Sequence, residues 1–145
     1  QEFYEKIIQE FDLDISYDDF VPKWCDIFSP MPGMYELVEA LSKKFPLGTL
    51  SDTDPLHWNQ ILVKYPIMKF FPNPTLSFNI KTSKPGPEAF LLAARSVNTA
   101  PQNCIFIDDL TRNVHGAKNV GMNAVKFESA ARLSQEFAKL GIFIK

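Results

Sequence analysis

The most constraining feature of this sequence is a regular alternation of short apolar runs with segments of helical periodicity, which starts near residue 34. Four of the apolar runs have the composition of β-strands. They cover residues 46–51, 75–80, 104–107 and 123–127. Apolar strands that alternate with helices are typical of a parallel sheet covered by helices on both faces. The sequence therefore predicts an α/β fold.

Local signals predict where several helices begin and end. Ser16 precedes a segment with acidic residues in its first turn, as at the N-terminus of a helix. Pro87 opens a helical pattern at a position where a missing N–H group costs nothing. Gly121 follows the predicted helix 113–120 and has the residue type that commonly ends a helix.

The first 30 residues differ from the rest of the chain. Apolar side chains recur at helical spacing within residues 1–11, and the sequence Ser-Pro-Met-Pro-Gly at 29–33 interrupts the helical pattern. We therefore predict two units, a helical segment at 1–30 and an α/β core at 31–145.

Charge and cysteine content bear on the partners and the compartment. The net charge is −2 and the sequence has no basic block, so we expect neither nucleic acid nor an anionic membrane as a partner. No apolar run reaches the roughly 20 residues that a helix needs to cross a bilayer. Cys25 and Cys104 lie in apolar surroundings, and we interpret them as buried, reduced thiols, which fits a cytoplasmic protein.

Polar residues suited to phosphate chemistry follow three of the predicted strands. Ser51 ends the first strand, Lys84 follows the second, and Asp108 and Asp109 follow the third. In parallel sheets the carboxyl ends of the strands share one edge, where ligands bind. A hydroxyl can hold a phosphoryl oxygen, a lysine can neutralise its charge, and paired carboxylates can bind a hard cation such as Mg²⁺. Together these residues predict a phosphoryl-transfer site.

Three segments carry this chemistry, namely PLGTLSDTD (46–54), KTSKPGPEAF (81–90) and CIFIDDLTRNVHGAKNVGMNAVKF (104–127). In order and spacing they resemble the second, third and fourth motifs of the haloacid dehalogenase (HAD) superfamily of hydrolases. Within that superfamily the segments are most similar to sugar-phosphate phosphatases of the α-glucose-1-phosphate phosphatase type. The resemblance implies a three-layer, Rossmann-like core and a Mg²⁺-dependent phosphatase acting on a small phosphorylated metabolite.

The resemblance also implies a role for each site residue. Ser51 would donate a hydrogen bond to the transferring phosphoryl group, and Lys84 would pair with that group and with the nucleophile. Asp109 would coordinate Mg²⁺ directly, while Asp108 would hold a water of the metal. Asn113 would orient Lys84 or the groups around the metal.

These residues also have simpler interpretations. The acidic pair could cap the following helix, the lysine could be solvated, and Ser51 could merely end a strand. Asn113 could be a helix cap. His57 and His115 lie on predicted helices without metal-ligand spacing, so we expect surface histidines or histidines with satisfied hydrogen bonds.

The nucleophile that the resemblance requires is missing from the predicted strands. In HAD hydrolases an aspartate ends the first apolar strand, and a second aspartate follows two residues later. Asp12 and Asp14 have this spacing, but the preceding residues Ile-Ile-Gln-Glu-Phe continue a helix, so we reject them as the nucleophile pair. We therefore expect a truncated core at 31–145 that lacks its first strand, and a partial helical cap at 1–30.

Loss of that strand would leave a gap, because in this superfamily it lies between the motif-two and motif-four strands. Each unpaired buried backbone group costs about 1–3 kcal/mol. Three arrangements would satisfy these groups: direct pairing of 46–51 with 104–107, a strand inserted by a second chain, or a strand on a detached fragment. We expect one of the last two, because direct pairing would shift Ser51 relative to Asp109.

One departure from the family pattern and three competing functions remain. Asp52 stands where relatives more often have Asn, and a carboxylate beside a bound phosphate is unfavourable unless it points away. A noncatalytic HAD-like binding or assembly module is the main alternative. A receiver-like phosphoacceptor domain would place its acidic pair after the first strand, and a dehalogenase does not use a metal site, so both are disfavoured.

Overall fold

A computed structural model describes residues 2–144, and helices make up most of them. The α-helices are α1 (Glu2–Glu10), α2 (Tyr17–Cys25), α3 (Met34–Ser42), α4 (Pro55–Lys64), α5 (Ser77–Ile80), α6 (Pro87–Ser96), α7 (Thr111–Asn119) and α8 (Ala130–Lys139). Short 3₁₀-helices cover Pro66–Phe70 and Pro101–Asn103. The strands are β1 (Leu50–Ser51), β2 (Thr75–Leu76), β3 (Ile105–Asp108) and β4 (Asn123–Lys126). None of the helices described is long and apolar enough to span a membrane.

The strands form two separate parallel pairs. Leu50 of β1 lies opposite Thr75 of β2, and Ile105 of β3 lies opposite Asn123 of β4. Over residues 2–144, no backbone ladder joins one pair to the other. Direct pairing of the first and third predicted strands, the arrangement that we disfavoured, therefore does not occur.

The burial of the strands indicates where the sheet is incomplete. Both residues of β2 are buried, whereas both residues of β1 and all four of β3 are only partly buried. A central strand between two helix layers should be buried on both faces. β1 and β3 thus each lack a neighbour on one side within the described residues.

Two apolar clusters form the layers on either side of the strands. Buried residues of α3 and α8 pack against β3 and β4 on one face: Leu37, Leu41, Leu133 and Phe137. On the other face, buried residues around α6 and α7 contact both strand pairs: Phe90, Ala94, Ala117 and Met122. Leu50 of β1 and Phe106 of β3 pack against this second cluster, so one helix layer bridges the two pairs. The predicted layered α/β fold is confirmed.

The helical segment at the N-terminus packs through aromatic rings. Tyr4 of α1 meets Phe20 of α2 edge-on with ring centroids 5.2 Å apart, and Phe3 lies 5.0 Å from Trp24. α1 itself has no buried residue. The hydroxyl of Ser16 accepts a hydrogen bond from the Asp19 N–H, so α2 begins at the predicted cap.

Two predicted strands are shorter in the structure. The run 75–80 keeps strand geometry only at Thr75–Leu76, and its remaining four residues form α5. The cause is a non-local contact, because the Ser77 hydroxyl binds both backbone groups of Thr53 and turns the chain toward the loop after β1. The run 46–51 likewise pairs only from Leu50, where β2 lies beside it.

Candidate active site

Lys84 lies in the loop between α5 and α6 and contacts groups at the ends of both strand pairs. Its Nζ donates to Asp108 Oδ2 over 2.9 Å, and its backbone N–H donates to Asp52 Oδ1 over 3.1 Å. The Lys84 and Asp108 side chains are only 13% and 7% exposed. The lysine thus connects the carboxyl end of β3 with the segment that follows β1.

Asp108 ends β3 and uses both carboxylate oxygens. Oδ1 accepts from the Leu110 N–H over 2.9 Å and from Asn113 Nδ2 over 3.0 Å, while Oδ2 accepts from Lys84. Burial raises the pKa of Asp108, but these hydrogen bonds and the charge of Lys84 outweigh burial and leave that pKa below its usual value. Asp108 is therefore a carboxylate at neutral pH.

Asn113 is buried on the face of α7 that meets this carboxylate. Leu110 holds the N-cap position of α7, so Asn113 is not the helix cap. Asn113 is 2% exposed, and its Oδ1 has no hydrogen-bond partner within residues 2–144. A buried amide oxygen without a partner costs about 1–3 kcal/mol, so a donor or a cation at this oxygen would relieve that cost.

The other predicted site residues flank this network. Ser51 is the last residue of β1, partly buried and directly before Asp52. Asp109 follows Asp108 and is exposed to solvent. Asp52 is exposed, and its Oδ1 accepts a hydrogen bond from the Lys84 backbone N–H. The carboxylate that departs from the family pattern therefore has a hydrogen-bond partner within the protein.

The Asp12–Asp14 pair lies elsewhere in the fold. Both residues are exposed in the turn after α1, and Asp12 has a positive φ of 50°. The helical periodicity of residues 1–11 predicts that these aspartates follow a helix and not a strand, and the structure shows that arrangement. The Lys84 Nζ donates to Asp108 instead.

The two histidines differ in environment. His57, on α4, is buried between Asp54 and the Trp24 carbonyl oxygen, which face its two ring nitrogens. His115, on α7, is exposed. His57 is thus a histidine with hydrogen-bond partners and His115 a surface histidine, which are the two environments that the sequence predicts.

Two positioning residues escaped the sequence analysis. Ser77 Oγ accepts from the Thr53 N–H and donates to the Thr53 carbonyl oxygen, both over 3.1 Å, and so holds the loop after β1. Asp54 caps α4 by accepting from two backbone N–H groups. The Asp-Pro sequence at 54–55 is a recognisable start signal for a helix, whereas Ser77 carried no signal inside an apparent strand.

The oxygen donors suit a cation that needs few protein ligands. In the described part of the chain, no three His, Cys, Asp or Glu side chains are grouped so that they could hold a metal ion. Mg²⁺ commonly takes one or two protein carboxylates and completes its shell with water and substrate phosphate. The adjacent Asp108 and Asp109 carboxylates match that sparse requirement in number and type.

Known proteins resemble this chain in sequence and in fold. It is 31% identical over 116 residues to flavin mononucleotide hydrolase 1 of Arabidopsis thaliana, covering 79% of this chain and 47% of that protein. It is 28% identical to a glyceraldehyde 3-phosphate phosphatase of Pyrococcus furiosus, covering 91% of this chain and 60% of that protein. The chain thus spans about half of the length of these curated relatives.

A solved structure has the same fold. An HAD family enzyme of Bacteroides thetaiotaomicron, crystallised with magnesium and inorganic phosphate, superposes with a TM-score of 0.83 at 24% identity. The match covers 94% of this chain and 72% of that one. The sequence profile of the haloacid dehalogenase-like hydrolases matches residues 2–127. The chain therefore belongs to the haloacid dehalogenase-like hydrolase family.

Proposed function

We propose that this chain forms the phosphoryl-binding and cation-binding part of a Mg²⁺-dependent phosphatase for small phosphomonoesters. The observation that carries the proposal is the partly buried Lys84–Asp108 ion pair at the carboxyl end of β3, which Asp52 connects to the end of β1. A partly buried ammonium group at this edge of the sheet favours an anionic ligand. Curated relatives are named as phosphatases or hydrolases of small phosphorylated molecules, which supports the substrate class.

Each site residue has a role in this proposal. The Ser51 hydroxyl donates to a phosphoryl oxygen, and Lys84 neutralises phosphoryl charge while Asp108 holds its ammonium group in place. Asn113 orients Asp108 through its amide nitrogen. Asp109 would coordinate Mg²⁺ directly and Asp108 would hold a water of the metal, and the bound Mg²⁺ would act as a Lewis acid on the phosphate.

The nucleophile of the proposed reaction is an aspartate on a strand between β1 and β3. Each of these strands has one edge without a partner in the described residues, and both are only partly buried. A strand inserted there would end at the edge where Lys84 and Asp108 lie. The strand comes from outside the 145 residues, from a second chain or from another fragment of the same protein.

The helical segment at 1–30 is proposed to be part of a cap over this site, and the α/β core at 31–145 to lack its first strand. We also propose a cytoplasmic setting, since Cys25 and Cys104 are both free. Cys25 is buried as expected, whereas Cys104 is only partly buried.

The direct test is phosphate release from small phosphomonoesters, with and without Mg²⁺. We would compare the 145-residue chain with the same chain extended by any coding sequence that precedes Gln1. The extended protein is expected to be active only with Mg²⁺. Asp109→Asn and Lys84→Met should abolish this activity, because they remove a cation ligand and the phosphoryl partner.

Asp12→Asn is the matched control, since it removes a carboxylate of the same type from an exposed turn and should leave turnover intact. Full activity of the short chain, lost in Asp12→Asn, would contradict the proposal. An extended protein that binds phosphate without turnover would instead favour a noncatalytic HAD-like module. On the chain alone, calorimetry should show weak Mg²⁺ binding that Asp109→Asn weakens further.

A further inference from the structure

His57 connects two parts of the chain that are far apart in sequence. It lies on α4 and is 8% exposed. Its Nδ1 is 2.5 Å from Asp54 Oδ2, and its Nε2 is 3.2 Å from the carbonyl oxygen of Trp24, near the end of α2. One ring thus joins the start of α4, just beyond the β1 loop, to the helical segment at the N-terminus.

The partners of this ring determine its protonation state. A carboxylate and a backbone carbonyl can only accept hydrogen bonds. A neutral imidazole has one N–H and can serve only one of them, whereas an imidazolium has two and can serve both. The geometry therefore matches the charged ring, with the Asp54 carboxylate as its counter-ion.

Asp54 is suited to remain charged beside this ring. Burial raises the pKa of Asp54, but its hydrogen bonds to the His57 side chain and backbone, the charge of His57 and the Leu56 N–H lower it to below its usual value. Asp54 Oδ1 accepts hydrogen bonds from the backbone N–H groups of Leu56 and His57, and Oδ2 contacts the His57 ring. Helix capping and ring binding therefore use different oxygens.

The groups packed around His57 provide no other strong counter-charge. From α2, Trp24 places its ring centroid 6.0 Å away, and the titratable neighbour is Cys25, whose thiol pKa is raised by burial and by the charge of Asp54. From the segment after α2, Phe28 lies edge-on at 5.7 Å. Asp26 in that segment pairs with Lys64 of α4 on the exposed side of the contact.

We propose that Asp54, His57 and the Trp24 carbonyl form a proton-dependent clasp, in which the imidazolium form of His57 holds the end of α2 against the core. When the ring loses its proton, it keeps one of the two hydrogen bonds and releases the other. Beside the ring contacts of Trp24 and Phe28, the remaining polar contacts between the helical segment and the core are then the exposed Lys64–Asp26 pair and the hydrogen bond from Tyr65 to the Phe28 carbonyl. The clasp does not depend on the phosphatase reaction, because none of its groups is a proposed catalytic residue.

The chain is well suited to a direct test, because it contains only two histidines and two tryptophans. ¹⁵N NMR of the imidazole nitrogens should show His57 protonated on both nitrogens at low pH, with the exposed His115 as the internal reference. Emission of Trp24 should report the contact, since its ring adjoins His57, and Trp24→Phe identifies its share of the signal. The loss of the second His57 proton and the change in Trp24 emission should have one common pH midpoint.

Variants separate the clasp from ordinary structural roles. Asp54→Asn keeps an oxygen for capping α4 but removes the counter-charge, so amide exchange at residues 26–28 should rise in this variant. His57→Gln cannot bridge both partners, and amide exchange at residues 26–28 should rise about tenfold, the factor that corresponds to about 1.4 kcal/mol. His115→Gln should change neither signal. A single neutral tautomer of His57 at every pH where the chain is folded, or Trp24 emission that is unchanged through the His57 titration, would overturn the clasp.

Discussion

The Lys84–Asp108 ion pair allows a quantitative prediction about stability. Lys84→Met removes the ammonium group and leaves the Asp108 carboxylate, whose side chain is 7% exposed, without its counter-ion. Removing one partner of a buried pair typically costs about 3–5 kcal/mol. We expect about 3 kcal/mol at most here, because the pair is only partly buried and Leu110 and Asn113 still donate to Asp108. That loss is a large part of the roughly 5–15 kcal/mol by which domains are stable.

The pH dependence of this loss follows from the lowered pKa of Asp108. Because the folded-state pKa lies below the unfolded value of about 3.9, the stability from ionised Asp108 is fully present above about pH 4. It is lost as pH falls through the folded-state pKa. The difference in stability between wild type and Lys84→Met should therefore be largest near pH 7 and should shrink as pH falls toward the folded-state pKa of Asp108, because the carboxylate is protonated there.

Urea unfolding of a double-mutant cycle measures the pair directly. Lys84→Met, Asp108→Asn and the double variant should give a coupling energy of about 2 kcal/mol, since the double variant contains neither charge. Lys118→Met, on the exposed surface of α7, is the control and should change stability by less than about 0.5 kcal/mol. Additive effects within about 0.5 kcal/mol, or a Lys84→Met penalty that stays constant from pH 7 down to the lowest pH at which both proteins fold, would refute the reasoning.

Three further predictions concern the scaffold of the site, each measured as the free energy of unfolding in urea. Asp52→Ala should lower the free energy of unfolding by about 1 kcal/mol, because the Lys84 N–H loses its acceptor. Asp52→Asn keeps an oxygen at that position and should cost little, so equal losses in the two variants would count against this contact. Gly116→Ala should cost about 1–3 kcal/mol, because a Cβ there would lie 2.9 Å from the Pro85 carbonyl oxygen and 2.8 Å from Phe90. If this variant is as stable as the control Lys118→Ala, the loop at Pro85 can move away. Ser16→Ala should cost about 1 kcal/mol through loss of the α2 cap, with Ser134→Ala on α8 as the near-neutral comparison.

Elements specified by local chemistry were predicted well. The Ser16 cap depends on a hydroxyl and an N–H three residues apart, and Pro87 and Gly121 depend on the backbone preferences of single residues. Lys84 and Asp108 could be selected because they follow predicted strands in a parallel arrangement, and Asn113 because residues 104–127 resemble the fourth HAD motif. The structure brings these three residues together.

The partners within the site could not be read in the same way. The structure shows that the Lys84 ammonium group pairs with Asp108, a partner that the resemblance did not name, while its pairing with the phosphoryl group and the nucleophile remains a prediction. The roles of Ser51 and Asp109 in phosphate and Mg²⁺ binding remain predictions. A residue's type and its position after a strand indicate which edge it occupies, but not which of several nearby charges it meets.

The sequence by itself determined the α/β class, the edge at which the polar residues gather and most helix ends, because these depend on periodicity and on contacts within a few residues. The tertiary structure decided the rest. Ser77 ends β2 early by binding Thr53, 24 residues away, and His57 meets a carbonyl group 33 residues away. The four strands form two parallel pairs, β1 with β2 and β3 with β4, and each pair joins segments that are distant in sequence. These contacts join groups that are distant in sequence, and their free energy depends on how the whole chain packs, which no local pattern encodes.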